Sequence, residues 1–208
     1  MVFQRCAKTK KSCARELRQE VIMQQKPEIL ETRLVAKSRL VGIEEMQIRF
    51  SNGEQRTYER LRTPPIAGVM TVPLLDDDTV VLIREYGAGM EEYMLTLPKG
   101  SIEAGEDWRE AANRELKEEA GYGANKLTLL KRMSLSPGYM GHRINAVLAE
   151  DLYPEKLPAD EPEEMQVLTW KLSELDKLFE RDDMTEARVM AALYMTRDIV
   201  RARREGGA

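Results

Sequence analysis

Read as a helix, residues 107–120 place Glu115, Glu118 and Glu119 on the face that also carries Trp108, Ala111, Ala112 and Leu116. At about 100° of rotation per residue, the three carboxylates share an arc of about 100°. Arg109, Glu110, Asn113 and Lys117 fall on the opposite side, so the polar face is already filled. Like charges lined up on a core-facing stripe repel, and their pKa values rise unless a cation or protons neutralise them. A hard divalent cation such as Mg²⁺ would do so, since it prefers carboxylate oxygens, water and phosphate. The competing reading is the solvated acidic end of an ordinary helix, where i,i+4 pairs contribute only about 0.2–0.5 kcal/mol each. Gly121 stops the helix in the left-handed cap position. Just before it, Gly100 and Gly105 bracket a loop in which the backbone can turn close to a bound phosphate. Arg114 can hold a carboxylate bidentately and fix its rotamer.

Composition narrows the chemistry further. The 208 residues include one histidine, His142, and two cysteines, Cys6 and Cys13. That excludes His-Glu-x-x-His zinc sites, Cys/His fingers and any mechanism that needs two imidazoles. Carboxylates must do most of the work. A net charge of −4 argues against a nucleic acid or an anionic membrane as the main partner, because such surfaces call for clustered Lys and Arg. No apolar run reaches the ~20 residues of a bilayer span. Residues 1–22 differ from the rest: they carry a net +4 and both cysteines. The body is thus cysteine-free, as suits a reducing cytosol, and a cytoplasmic location is expected. There is no apolar stretch of the secretory type. Gln19-Glu20-Val21 can be encoded as CAGGAGGTN, a ribosome-binding sequence upstream of an ATG for Met23. Residues 1–25 are therefore read as a disordered or untranslated extension, with a basic arm for an acidic partner as the alternative.

The remaining sequence reads mainly as strands. Alternation through 43–50, the turn Ser51-Asn52-Gly53 and the return over 56–61 predict a hairpin, within an N-terminal element spanning 26–62. Further strands are expected at 69–75, 80–83, 93–97, 127–135, 144–149 and 166–172. Helices are expected at 107–120, 172–180 and 185–201, with Met190, Leu193 and Ile199 as core in the last. Mixed strands with few helices give an α+β or α/β/α domain over 63–203 and a flexible tail at 204–208.

Residues 100–122, GSIEAGEDWREAANRELKEEAGY, match the pattern G-x5-E-x7-R-E-U-x-E-E-x-G-U, with U aliphatic, at Gly100, Glu106, Arg114, Glu115, Leu116, Glu118, Glu119 and Gly121. Tyr122 is the one departure, at a packing position. This is the Nudix box, and the chain resembles the Nudix hydrolase superfamily. The resemblance implies an α+β fold, the α/β/α Nudix sandwich with a mixed sheet, preceded here by an N-terminal β-hairpin subdomain. It implies hydrolysis of a nucleoside diphosphate linked to another moiety, with Mg²⁺ or Mn²⁺ as cofactor. It makes Glu115 and Glu119 principal metal ligands and Glu118 a further or water-mediated one. The Lys99 carbonyl becomes a backbone ligand, and Arg114 a member of the catalytic set.

Pro137, in SPGY and 15 residues past Tyr122, occupies a position associated with the ADP-ribose pyrophosphatase branch, whose members are homodimers that exchange or pack N-terminal strands. Unaided, a Pro-Gly pair is merely a turn. The stretches VAKSRL, FSNG, LIREY, EAANRELKEE and DLYPE are similar to bacterial enzymes of this branch that act on ADP-ribose, NADH and diadenosine polyphosphates, releasing AMP where the substrate permits. Where many relatives have Gln-Tyr-Arg, this chain has Glu85-Tyr86-Gly87. Losing that arginine implies looser selection of the terminal ribose. An acidic Pro-rich loop at 158–164 is ordinarily solvent-facing. The resemblance instead makes Glu161 the general base and Glu163 a possible extra ligand. Arg56, Arg60 and Arg84 are candidate phosphate or ribose contacts, and equally surface charges; Gly100, Pro137 and Tyr139 complete the substrate set. His142 is given no role. Rival readings are a Nudix hydrolase of another nucleotide, a catalytically silent nucleotide-sensing module, and an interaction protein whose acidic stripe docks a basic partner. The last leaves Gly100, Gly105, Arg114 and Pro137 unexplained.

Overall fold

The computed structural model describes residues 25–62, 68–158 and 162–206. The expectations for residues 1–22, the start at Met23 and Glu161 lie outside the described residues. The N-terminal element is a three-stranded antiparallel meander of β1 (Glu28–Lys37), β2 (Gly42–Arg49) and β3 (Gln55–Arg62). The expected hairpin is its β2–β3 half. Gly53, with φ of 84°, makes the turn, where the Glu54 amide donates to Asn52 Oδ1 at 3.0 Å. All ten residues of β1 are exposed, among them Ile29, Leu30, Leu34 and Val35.

The body continues with β4 (Gly68–Pro73), β5 (Thr79–Gly87), β6 (Glu92–Thr96), β7 (Lys99–Ser101) and the helix α1 (Trp108–Glu115). It ends with β8 (Tyr122–Ser134), β9 (Arg143–Pro154), β10 (Gln166–Lys171), the short helix α2 (Leu175–Phe179) and α3 (Ala187–Gly206). One mixed sheet has the order β7-β4-β9-β8, with β4 and β9 parallel; a second, antiparallel, has the order β10-β5-β6. Both faces of β4 are covered, which is why its sequence is a continuous apolar run. Val69 packs with Ala111, Ala112 and Val147 on the α1 side, while Met70 and Val72 join Leu175, Leu178, Val189 and Leu193 on the other. β5 divides likewise, Val81 and Ile83 toward Leu116 and Val80 and Leu82 toward α3. Helices thus flank the sheets on both sides, as in an α/β/α sandwich, and α1 and α3 occupy opposite layers. No described helix is long and apolar enough to cross a membrane.

The expected helix at 107–120 is two pieces. Asp107 caps α1 in a capping box: its side chain takes the Arg109 amide at 2.9 Å, and Glu110 takes the Asp107 amide at 3.2 Å. After Glu115 the chain widens into a π-helical turn, Leu116–Ala120, closed where the Gly121 amide donates to the Leu116 carbonyl at a φ of 75°. The wider turn lets Leu116, Glu119 and Ala120 all be buried. Other boundaries differ as well: β5 runs on to Gly87, β8 starts already at Tyr122, β9 continues to Pro154, and α3 extends to Gly206, into the expected tail. β7 was not expected, and 172–180 is a 3₁₀ turn, Leu172–Glu174, followed by α2.

Candidate active site

The acidic helix leans over β7 and leaves a cleft of about 700 Å³. Arg114, Glu115, Glu118 and Glu119 form one wall, Lys99 and Gly100 lie below them, and His142 and Arg188 also line it. Gly100 lies against the Glu115 carboxylate: a Cβ there would sit 2.0 Å from Glu115 Oε1, and that side chain would have to shift. Gly105 is a different case, a left-handed turn residue at φ of 86° with open space around it. Thus Gly100 receives a glutamate carboxylate of the protein itself, where the sequence had suggested room for a phosphate.

Arg114 organises the wall, and all five of its N–H groups are engaged. Nε and Nη2 donate to the two oxygens of Glu106 at 3.0 and 3.1 Å, Nη1 donates to Glu115 at 2.8 Å and Glu118 at 3.0 Å, and Nη2 also donates to the Ser101 carbonyl at 2.9 Å. The guanidinium holds the Glu106 carboxyl below the usual carboxylate range. Glu119 is only 4% exposed and accepts the Lys99 amide at 2.9 Å. Burial pushes its pKa up to about 8, reinforced by Glu115 and Glu85 and opposed by Lys99. Lys99 Nζ is itself ion-paired with Glu85. Among the described residues no three carboxylates converge on one point; Arg114 Nη1 stands between Glu115 and Glu118. The donor chemistry nevertheless fits a hard divalent cation. Every side-chain group on this wall besides Arg114 is a carboxylate, and Glu119 is a buried acid whose charge Lys99 offsets only in part.

Comparison with known proteins bears on the same residues. Residues 64–193 match the NUDIX domain, and residues 27–60 match the NudE-type Nudix hydrolase N-terminal domain. The chain belongs to the Nudix hydrolase family. It is 49% identical over 174 residues to the ADP compounds hydrolase NudE of Escherichia coli, spanning 84% of this chain and 93% of that protein. It is 28% identical to the ADP-ribose pyrophosphatase of Bacillus subtilis, over 79% and 91% of the two chains. A crystal structure of an ADP compounds hydrolase superposes with a TM-score of 0.81 at 47% identity, covering 86% of this chain and 97% of that one. As a Nudix pyrophosphohydrolase the protein falls in a family that depends on divalent metals.

The fold brings together only some of the residues singled out in the sequence. The Nudix-box residues Gly100, Arg114, Glu115, Glu118 and Glu119 share the cleft with Lys99, whose amide, rather than its carbonyl, touches Glu119. Glu163 accepts the Tyr93 hydroxyl at 2.5 Å and lines a separate depression that also includes Glu118. Pro137 borders a neighbouring cleft with Arg132 and Arg143, which meets the main one at His142. Tyr139 is exposed, and its carbonyl accepts the Leu61 amide at 2.7 Å. Arg56 pairs with Glu54, Arg60 with Glu44, and Arg84 lies 5.7 Å from the Tyr93 ring. None of these three arginines is among the described residues that line the cleft. Sequence reasoning missed Glu85 and Arg188. A usable signal existed for both: Glu85 lies two residues past buried Ile83 on the same strand face, and Arg188 four before buried Ala192 on the same helix face.

Proposed function

We propose that this Nudix enzyme hydrolyses the pyrophosphate bond of ADP-linked compounds, namely ADP-ribose, NADH and diadenosine polyphosphates, releasing AMP where the substrate permits. The observation that carries the reading is the wall of Glu115, Glu118 and Glu119 gathered beside Gly100 in one cleft. Similarity to an ADP compounds hydrolase and an ADP-ribose pyrophosphatase supports the substrate class. Glu115 and Glu119 would hold the cation, Mg²⁺ with Mn²⁺ as the alternative, helped by Glu118, the Lys99 carbonyl and Glu163. Bound there, it would offset the charge of the bridge and lower the pKa of water. Arg114 keeps Glu115 and Glu118 from splaying, and the Lys99 amide fixes the Glu119 carboxylate. Glu161 takes the proton from the attacking water. The working unit is a cytoplasmic homodimer joined through the N-terminal strands.

Incubation with each ADP-linked compound and each metal tests the reading by product. AMP together with a phosphorylated partner is expected. Pyrophosphate released from a nucleoside triphosphate, with ADP compounds untouched, would favour another Nudix nucleotide class, and no turnover of any nucleotide would favour a sensing module. Glu161→Gln is expected to lower kcat by about 10²–10⁴ without altering thermal unfolding. Near-normal turnover would move the base elsewhere, to Glu163 first.

A further inference from the structure

Three cationic side chains line the cleft among the described residues, and they differ in how fully they are occupied. Arg114 spends all five N–H groups on its own wall and the Ser101 carbonyl, so it has none left for a ligand. Lys99 is ion-paired with Glu85. Arg188 enters from the opposite layer, at the start of α3, and is the one described cleft residue contributed by that helix. Its side chain is 16% exposed and ion-paired through Nη2 with Glu186, itself 14% exposed. Glu186 is held in turn by Thr96 Oγ1, which donates to Oε2 at 3.2 Å. Nε of Arg188 is enclosed without any acceptor. Nη2 of the guanidinium is therefore ion-paired, while Nε is a buried donor that the protein leaves without an acceptor. Its neighbour His142 does not compete as a cation, because burial and the charge of Arg188 both hold its pKa below the ordinary value.

A diphosphate bridge carries charge on two phosphorus centres. The carboxylate wall can serve one of them only through cations, whereas an arginine can meet the other directly and bidentately. We propose that Arg188 binds the substrate's diphosphate, on the phosphate farther from Glu115, Glu118 and Glu119, with Glu186 and Thr96 as its anchor. This rests on the reading of the enzyme as an ADP-compound pyrophosphohydrolase and adds a specificity residue to it. Holding the second phosphate selects diphosphate-linked substrates over nucleoside monophosphates.

Steady-state kinetics of the full chain with ADP-ribose and Mg²⁺ tests the assignment. Arg188→Met, which keeps the apolar stem, is expected to raise KM by about tenfold or more. The half-saturating Mg²⁺ concentration should stay within about twofold, which a general disturbance of the site would not allow. Arg188→Lys keeps the charge but loses the fork, and its KM is expected to rise about three- to tenfold. A KM unchanged in Arg188→Met overturns the assignment; if that variant fails to fold, an unchanged KM in Arg188→Lys does so. Wild-type protein inert toward every ADP-linked compound would instead overturn the functional reading, so the two failures are distinguishable.

Discussion

Glu119 is buried with its pKa pushed up to about 8, so in metal-free protein it is largely a neutral acid at pH 7. A folded-state pKa above the unfolded value of about 4.5 gives a contribution to stability that is complete below pH 4.5. That contribution is lost as pH rises through 8, at a rate of up to about 1.4 kcal/mol per pH unit. Thermal unfolding in a chelator should therefore show wild-type Tm falling between pH 5 and 8 relative to Glu119→Gln, and added Mg²⁺ should recover part of the difference. Parallel Tm profiles for the two proteins would show that Glu119 does not titrate in this window. On the proposed function, the same burial would favour a divalent ion at Glu119, because its charge would offset that of a desolvated carboxylate.

At the scale of elements, the π-helical turn makes the acidic wall possible, and Gly121 ends it at a φ that side-chain-bearing residues rarely adopt. Gly121→Ala is expected to cost about 1 kcal/mol or more, lowering Tm by about 2–4 °C for a chain of this size and weakening activity by loosening Glu118 and Glu119. An unaltered Tm would mean the turn tolerates a Cβ there. The acidic helix was legible in the sequence because side-chain spacing alone places Glu115, Glu118 and Glu119 with Ala111, Ala112 and Leu116. Its conversion to a π turn was not, since one extra residue in a single turn barely changes a periodic pattern. β7 escaped notice because three residues are too few to show alternation. Arg60 looked available for substrate until register paired it with Glu44 across β2 and β3. Arg188 shares a helix face with buried Ala192, but the cleft it lines is built from residues far away in sequence. Local pattern reveals faces; which faces meet depends on pairing that no short window contains.

For the molecule as a whole, the N-terminal meander touches the Nudix domain at Leu61, whose amide reaches Tyr139 in the loop before β9. Its outer strand leaves Ile29, Leu30, Leu34 and Val35 exposed along ten residues, an unpaired edge of the kind proteins normally cover. Covering it with the same element of a second copy predicts a dimer at micromolar concentration by light scattering. The double substitution Leu34→Asp, Val35→Asp should yield monomers with the Nudix domain still folded, and dimers that survive it would place the interface elsewhere. The central claim, that the inward-facing glutamates support cleavage of a diphosphate bridge, is tested most directly by following ADP-ribose with Mg²⁺ by anion-exchange chromatography, wild type beside Glu119→Gln. The account predicts AMP and ribose 5-phosphate in equal amounts from wild type and a loss of about 10²-fold or more in the variant. Intact ADP-ribose with wild type, or undiminished turnover by Glu119→Gln, would contradict it.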